Sequence, residues 1–181
     1  MIPVDRLHHV SVVVSDLRVA ARNHTIVYGI ERWDVAHQTA ERLRDTSAFG
    51  FVTPYAYSTA TGSTPHGITF RLVQPAGGLS TFAEFLVTRG EGIHSICVST
   101  LSEAALRELS ARLREFGVQA GQGATVDGAV HRWFDTRRAL GGYLVEVVAP
   151  AGGEARVDER WDLRDELQRS GGLEALRQAP R

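Results

Sequence analysis

The residues of this chain able to do chemistry recur at matching places. The stretch Leu7-His8-His9-Val10-Ser11-Val12-Val13-Val14 carries a histidine pair ahead of β-branched residues, the mark of a buried strand. Side chains alternate along a strand, so His8 and His9 face opposite sides. A second histidine opens Ile93-His94-Ser95-Ile96-Cys97-Val98. Glu146 sits inside the apolar run Leu144-Val145-Glu146-Val147-Val148, where an unpaired carboxylate is costly to bury, so its partner must be a cation or a metal. Arg71, in Ile68-Thr69-Phe70-Arg71-Leu72-Val73, carries a charge that never leaves it. Were imidazole, carboxylate and guanidinium to share a pocket, they could supply proton-transfer chemistry: a base, and a cation for an oxygen that gains charge.

The elements that must position these groups follow from pattern. Ser15 or Asp16 caps a helix carrying Leu17, Ala20, Ala21, His24 and Tyr28 on one face, closed by Gly29. His24 reads as a packed core histidine. A strand over 31–37 has Trp33 and Val35 on one face, and an aromatic run, 49–57, is broken by Pro54. Residues 58–67 read as a turn-rich loop, and a strand over 68–73 stops at Gln74-Pro75. A short helix spans 79–86. Thr100 and Glu103 form a capping box for a helix over Leu101 to Phe116. Strands follow at 130–135 and 143–149, with Asp135-Thr136-Arg137-Arg138 as a solvated hairpin tip. Trp161, Leu163 and Leu167 at helical spacing predict a docked tail helix, with 171–181 loose.

Two halves share one order: a histidine-bearing strand, a helix, then three strands ending at proline. Counted back from Pro75 and Pro150, Arg71 aligns with Glu146; at the openings, His9 aligns with Ser95 and His8 with His94. The period is too long for a stacked array and fits a pair of βαβββ modules curled around a cup. By alternation and repeat, His9 faces the cup, whereas His8 faces away, as does His94 unless a bulge intervenes. The fold class expected is α+β, with a cupped mixed sheet over 7–150 (module one 7–75, linker helix 76–92, module two 93–150) and a charged, helical C-terminal tail over 151–181.

These features (His9-Val10 with Ser15-Asp16-Leu17 behind it, Leu72-Val73-Gln74-Pro75 through Gly90-Glu91-Gly92-Ile93-His94, and Gly142-Tyr143-Leu144-Val145-Glu146) resemble the vicinal oxygen chelate superfamily. Within it the likeness is to the glyoxalase and methylmalonyl-CoA epimerase-like branch. The resemblance implies a divalent ion (Zn, Mn, Fe, Co or Ni) in the cup, held from positions matched here by His9, Arg71, Ser95 and Glu146. Only His9 and Glu146 are fit to ligate, since a guanidinium cannot and a serine hydroxyl is a weak ligand. Three readings stand. A metal is kept by His9 and Glu146 with help from His94, His131 or His37; Arg71 replaces the metal; or Arg71 and Glu146 are a structural pair.

The resemblance implies an isomerase, epimerase or lyase using enolate chemistry, with Glu146, His9 and Arg71 as catalytic residues and Tyr57, Ser95, His131 and Trp133 as pocket walls. The epimerase branch also needs a second acid on a module-one strand, and residues 49–61 contain none; only Tyr55 and Tyr57 offer hydroxyls there. A non-catalytic binding or sequestering protein is the alternative.

Composition bounds the rest. With 43% hydrophobic residues, 23% charged and a net charge of −1, the chain has no field for nucleic acid or an anionic membrane. Cys97 is the single cysteine, which argues against disulfides and thiolate zinc sites and for a buried, inert thiol. The N-terminus has no leader-like segment, and no glycine motif fits a nucleotide cofactor. A cytoplasmic protein that takes a small molecule, homodimeric as the family commonly is, is the expectation.

Overall fold

Alternation along β1 (His9–Val13) sets the frame: His9, Ser11 and Val13 are buried on one side, with Val10 and Val12 on the other. In a computed structural model, which describes residues 1–150, 152 and 155–169, the chain continues through α1 (Leu17–Tyr28), β2 (Arg32–Gln38), β3 (Arg44–Ala48), β4 (Phe51–Val52), β5 (Tyr55–Ser63) and β6 (Thr69–Gly78). Then come α2 (Thr81–Arg89), β7 (Gly92–Thr100), α3 (Glu103–Glu115), β8 (Ala120–Val126), β9 (Ala129–Phe134), α4 (Arg137–Leu140), β10 (Leu144–Ala149), β11 (Glu159–Asp162) and α5 (Arg164–Arg169). The strands form one sheet in the order β11-β2-β5-β6-β1-β7-β10-β9-β8-β3-β4.

β1 runs parallel to β6 and antiparallel to β7, and β7 runs parallel to β10. The sheet is curled, and chain length shows how far. Five residues, 39–43, link β2 near one end of the strand order to β3 near the other, so these regions approach within about 20 Å. Leu43 joins the concave-side core of Val13, Tyr55, Tyr57, Val73, Phe82, Trp133 and Leu144.

α1 and α3 pack on the convex side. α1 is capped by Asp16, which accepts from the Val19 N–H, and ends at Gly29 with φ +70°, a left-handed turn that glycine adopts without strain. It buries Leu17, Ala20 and Ala21 on Trp33, Val35, Ala60 and Leu72. α3 sets Leu106, Leu109 and Leu113 on Val98, Phe134, Val145 and Val147. His24 is half-buried rather than a core residue: it bonds the Ala20 carbonyl at 2.9 Å and packs against Tyr28, Trp33 and Phe70.

Several expectations change. The segment 58–67 is strand through Ser63, because β5 pairs with both β2 and β6, and that pairing overrides weak strand formers. The β3–β4 hairpin joins β8 rather than the strands of its own half. The cap of α3 is Ser102, accepting from the Ala105 N–H, while Thr100 closes β7.

The C-terminal tail is not a continuous helix. Trp161 lies on β11, which pairs with β2, and Leu163 enters the α1-side core; α5 is a short helix after it, and the segment expected to be loose, 171–181, lies outside the described residues. Pairing with an open sheet edge satisfies backbone groups that a helix would leave exposed. Ahead of β11, Asp158 is clasped: its Oδ2 accepts from the His37 backbone N–H and from Arg42 Nη1, both at 2.8 Å. Replacing Asp158 with alanine is expected to speed hydrogen exchange of the His37 amide by about tenfold or more, the loss of one charge-assisted bond; unchanged exchange in NMR would refute the clasp.

Candidate functional site

Register builds the site. His9 on β1 is opposite Cys97 on β7, and Cys97 is opposite Glu146 on β10, so three side chains lie in one row on the concave face. Trp133 on β9 follows Glu146, and His131 lies two residues along, opposite Val148. Arg71 on β6 is opposite Ser11, which is opposite Ser95.

Glu146 is the centre. Its side chain is 0% exposed; His9 Nε2 contacts Oε2 at 2.9 Å, His131 Nδ1 contacts Oε1 at 2.8 Å, and Arg71 Nη1 donates to Oε1 at 3.4 Å. Burial alone would push this carboxyl up, but its interaction with His9, the hydrogen bond from His131 and the Arg71 charge together hold it well below the ordinary carboxylate range. Burial, and then the Arg71 charge, push His9 down. We therefore read His9 as a neutral imidazole donating to an ionised Glu146.

A cavity of about 410 Å³ opens above this floor, within the size range of small-molecule sites. Arg71, His131, Tyr57 and Thr59 line it, together with Ala155, Arg156 and Val157 of the C-terminal segment. Glu146 and His9 are not among its lining residues; they sit behind Arg71 and His131. Tyr57 lies on the cavity wall, its hydroxyl pushed up by burial. Ser95 and Trp133 do not line the cavity. Ser95 contacts His94, and Trp133 is buried and stacks on His131, with centroids 5.5 Å apart and 19° between planes.

His94 does not face away, contrary to expectation. Ser11 pairs with Ser95 and Val12 with Ile93, which leaves His94 as the extra residue of a bulge. A bulge re-aims its side chain, here under α2 against Phe82 and Phe85, bonded to Thr81 Oγ1 and Ser95 Oγ at 3.1 Å each. His37 is also away from the site, contacting Ser58 and Glu159. Sequence reasoning missed Asp34, Gln38, Asp127 and Arg156 on the cavity wall. The first two were legible, because Trp33 and Val35 on the outer face put 34, 36 and 38 on the inner one.

Cys97 is also closer to the chemistry than an inert core thiol. His9, Cys97 and Glu146 each offer a donor atom, all within 4.8 Å of one another, so the set reaches far enough to hold a metal, thiolate included. The charge arrangement opposes one. His9 Nε2 and one Glu146 oxygen already bond each other, and the other oxygen faces a guanidinium, which would repel a dication. As built, the floor fits an internal ion pair better than a metal centre.

No protein-family model and no curated protein matches the sequence. Solved structures match in shape. Methylmalonyl-CoA epimerase from Mycobacterium tuberculosis aligns with a TM-score of 0.58 and 25% identity, over 83% of this chain and 93% of that one. A methylmalonyl-CoA epimerase in complex with methylmalonyl-CoA and NH4+ aligns with a TM-score of 0.54 and 20% identity, over 85% of this chain and 100% of that one. A mutant 4-hydroxymandelate synthase from Streptomyces coelicolor aligns with a TM-score of 0.52 and 16% identity, over 93% of this chain and 56% of that one. These neighbours are enzymes. Among the described residues no helix is long and apolar enough to cross a membrane.

Proposed function

We propose that this chain, whose fold is that of the vicinal oxygen chelate superfamily, is an isomerase that moves a proton on a small oxygenated compound through an enolate. The observation that carries the reading is the fully buried Glu146, gripped by His9, His131 and Arg71 where the last two line the cavity.

A carbon beside a carbonyl gives up a proton only if the oxygen's growing charge is met. The Arg71 guanidinium has five N–H donors, is 27% exposed and lines the cavity, so it can face that oxygen. An imidazole of the Glu146 pair accepts the proton, and the anion beside it stabilises the imidazolium formed. Arg71 thereby supplies the positive charge that a metal would otherwise supply, and no step runs through a metal.

The test is deuterium wash-in from 2H2O, followed by 1H NMR, on methylmalonyl-CoA and a panel of small 2-oxo- and 2-hydroxycarboxylates. Exchange at one of these, lowered about 100- to 1,000-fold in Arg71→Gln, supports the reading. Binding of these compounds without exchange would make the chain a sequestering protein instead. Stoichiometric Zn, Mn, Fe, Co or Ni in the purified protein, lost in Cys97→Ser, would overturn the metal-free form of the proposal.

A further inference from the structure

We infer that His131 is the side chain that carries the proton, and that Glu146 is a positioning residue acting through it. The inference rests on the proton-transfer reading above and names the group that performs it.

Three observations place His131 in that role. It lines the cavity, whereas His9 and Glu146 stand behind the wall. Its Nδ1 bonds Glu146 Oε1 at 2.8 Å, and an ionised carboxylate can only accept, so the ring proton belongs on Nδ1 and the lone pair on Nε2. Trp133, stacked on the ring at 19°, fixes its plane. His9 bonds Oε2 of the same carboxylate but lacks the access. Arg71 converges on the same Oε1, which sets guanidinium and imidazole side by side on the cavity floor.

The step balances with these groups alone. The Nε2 lone pair of His131 takes the proton from the carbon beside a carbonyl; the C–H electron pair becomes the enolate double bond, and the carbonyl π pair moves to the oxygen facing Arg71. The imidazolium rests against Glu146. Return of the proton, or of one exchanged with solvent, to carbon regenerates the carbonyl and the neutral ring, with nothing oxidised or reduced.

Two substitutions separate chemistry from architecture. In His131→Asn the amide nitrogen can replace Nδ1 toward Glu146 but offers no base. It should keep its melting temperature and lose deuterium wash-in, on the compounds named above, by about 100-fold or more. In His131→Ala, added imidazole should restore at least tenfold of the lost rate. The 15N spectrum of wild-type protein should show His131 protonated on Nδ1. Wild-type exchange retained in His131→Asn, failure of imidazole to rescue, or a proton on Nε2 would overturn the inference while leaving proton transfer standing. No exchange by the wild-type protein on any compound would overturn both.

Discussion

Lowering the pH from 7.5 to 5 should cost the folded protein about 2 kcal/mol through His94 alone. Burial pushes this imidazole down to about 3, outweighing the attraction of Glu146 for its charged form. The unfolded chain takes up the proton near the ordinary value of 6.5, while the folded chain refuses it. Between the two values the unfolded state binds more protons, so stability rises with pH and is lost as pH falls from 6.5 toward 3. Over the whole window the loss approaches roughly 3–5 kcal/mol. His9, also pushed down by burial, adds in the same direction. Glu146 works in a separate, lower window: its contribution is complete above its ordinary value of 4.5 and is lost as pH falls through its lowered one. The slope above pH 5 therefore belongs to the histidines. Denaturant unfolding of wild type and His94→Leu from pH 7.5 to 5 checks this. The variant should lose the His94 share of the slope, worth about 4–8 °C in melting temperature at this chain length. Equal slopes would mean that His94 is charged in the fold.

His94 also shows where reading a sequence stops. The alignment of Arg71 with Glu146 was legible because opposite charges inside apolar strands must each find a partner, and counting back from two prolines put them at equivalent places. The row of His9 and Glu146 followed from strand alternation. A bulge breaks that logic: one extra residue reverses every later side chain, and nothing in Gly92-Ile93-His94-Ser95 announces it. Cys97 was misread for a related reason. Its apolar neighbours Ile96 and Val98 point to the convex core, while Cys97 points between His9 and Glu146, so local composition described the wrong face. The β3–β4 crossing and the β11 edge strand depend on which edges the curled sheet leaves open, and that is known only once the sheet exists.

Replacing Glu146 with alanine should be the most damaging single change in the cup, costing about 3–5 kcal/mol, or about 6–20 °C in melting temperature. The reason is asymmetry. Glu146 is wholly buried and answers three donors; without it, the Arg71 charge and two imidazole N–H groups face one another across an apolar floor with no acceptor between them. Arg71→Met removes a charge from the same pair but should cost about 1 kcal/mol. The guanidinium is 27% exposed, its bond is the longest of the three at 3.4 Å, and both imidazoles still satisfy the carboxylate. Glu146→Gln should fall between them, since its amide keeps one acceptor but turns an N–H toward a donor. The expected order is thus alanine at 146, then glutamine at 146, then methionine at 71, measured by denaturant unfolding at pH 7.5. Combining Glu146→Leu with Arg71→Met should recover part of the loss, because an apolar pair leaves no charge stranded. If instead Arg71→Met proved as costly as Glu146→Ala, the carboxylate would depend on the guanidinium rather than on the imidazoles, and the hydrogen bonds of His9 and His131 could not be what keeps Glu146 ionised in the dark of the cup.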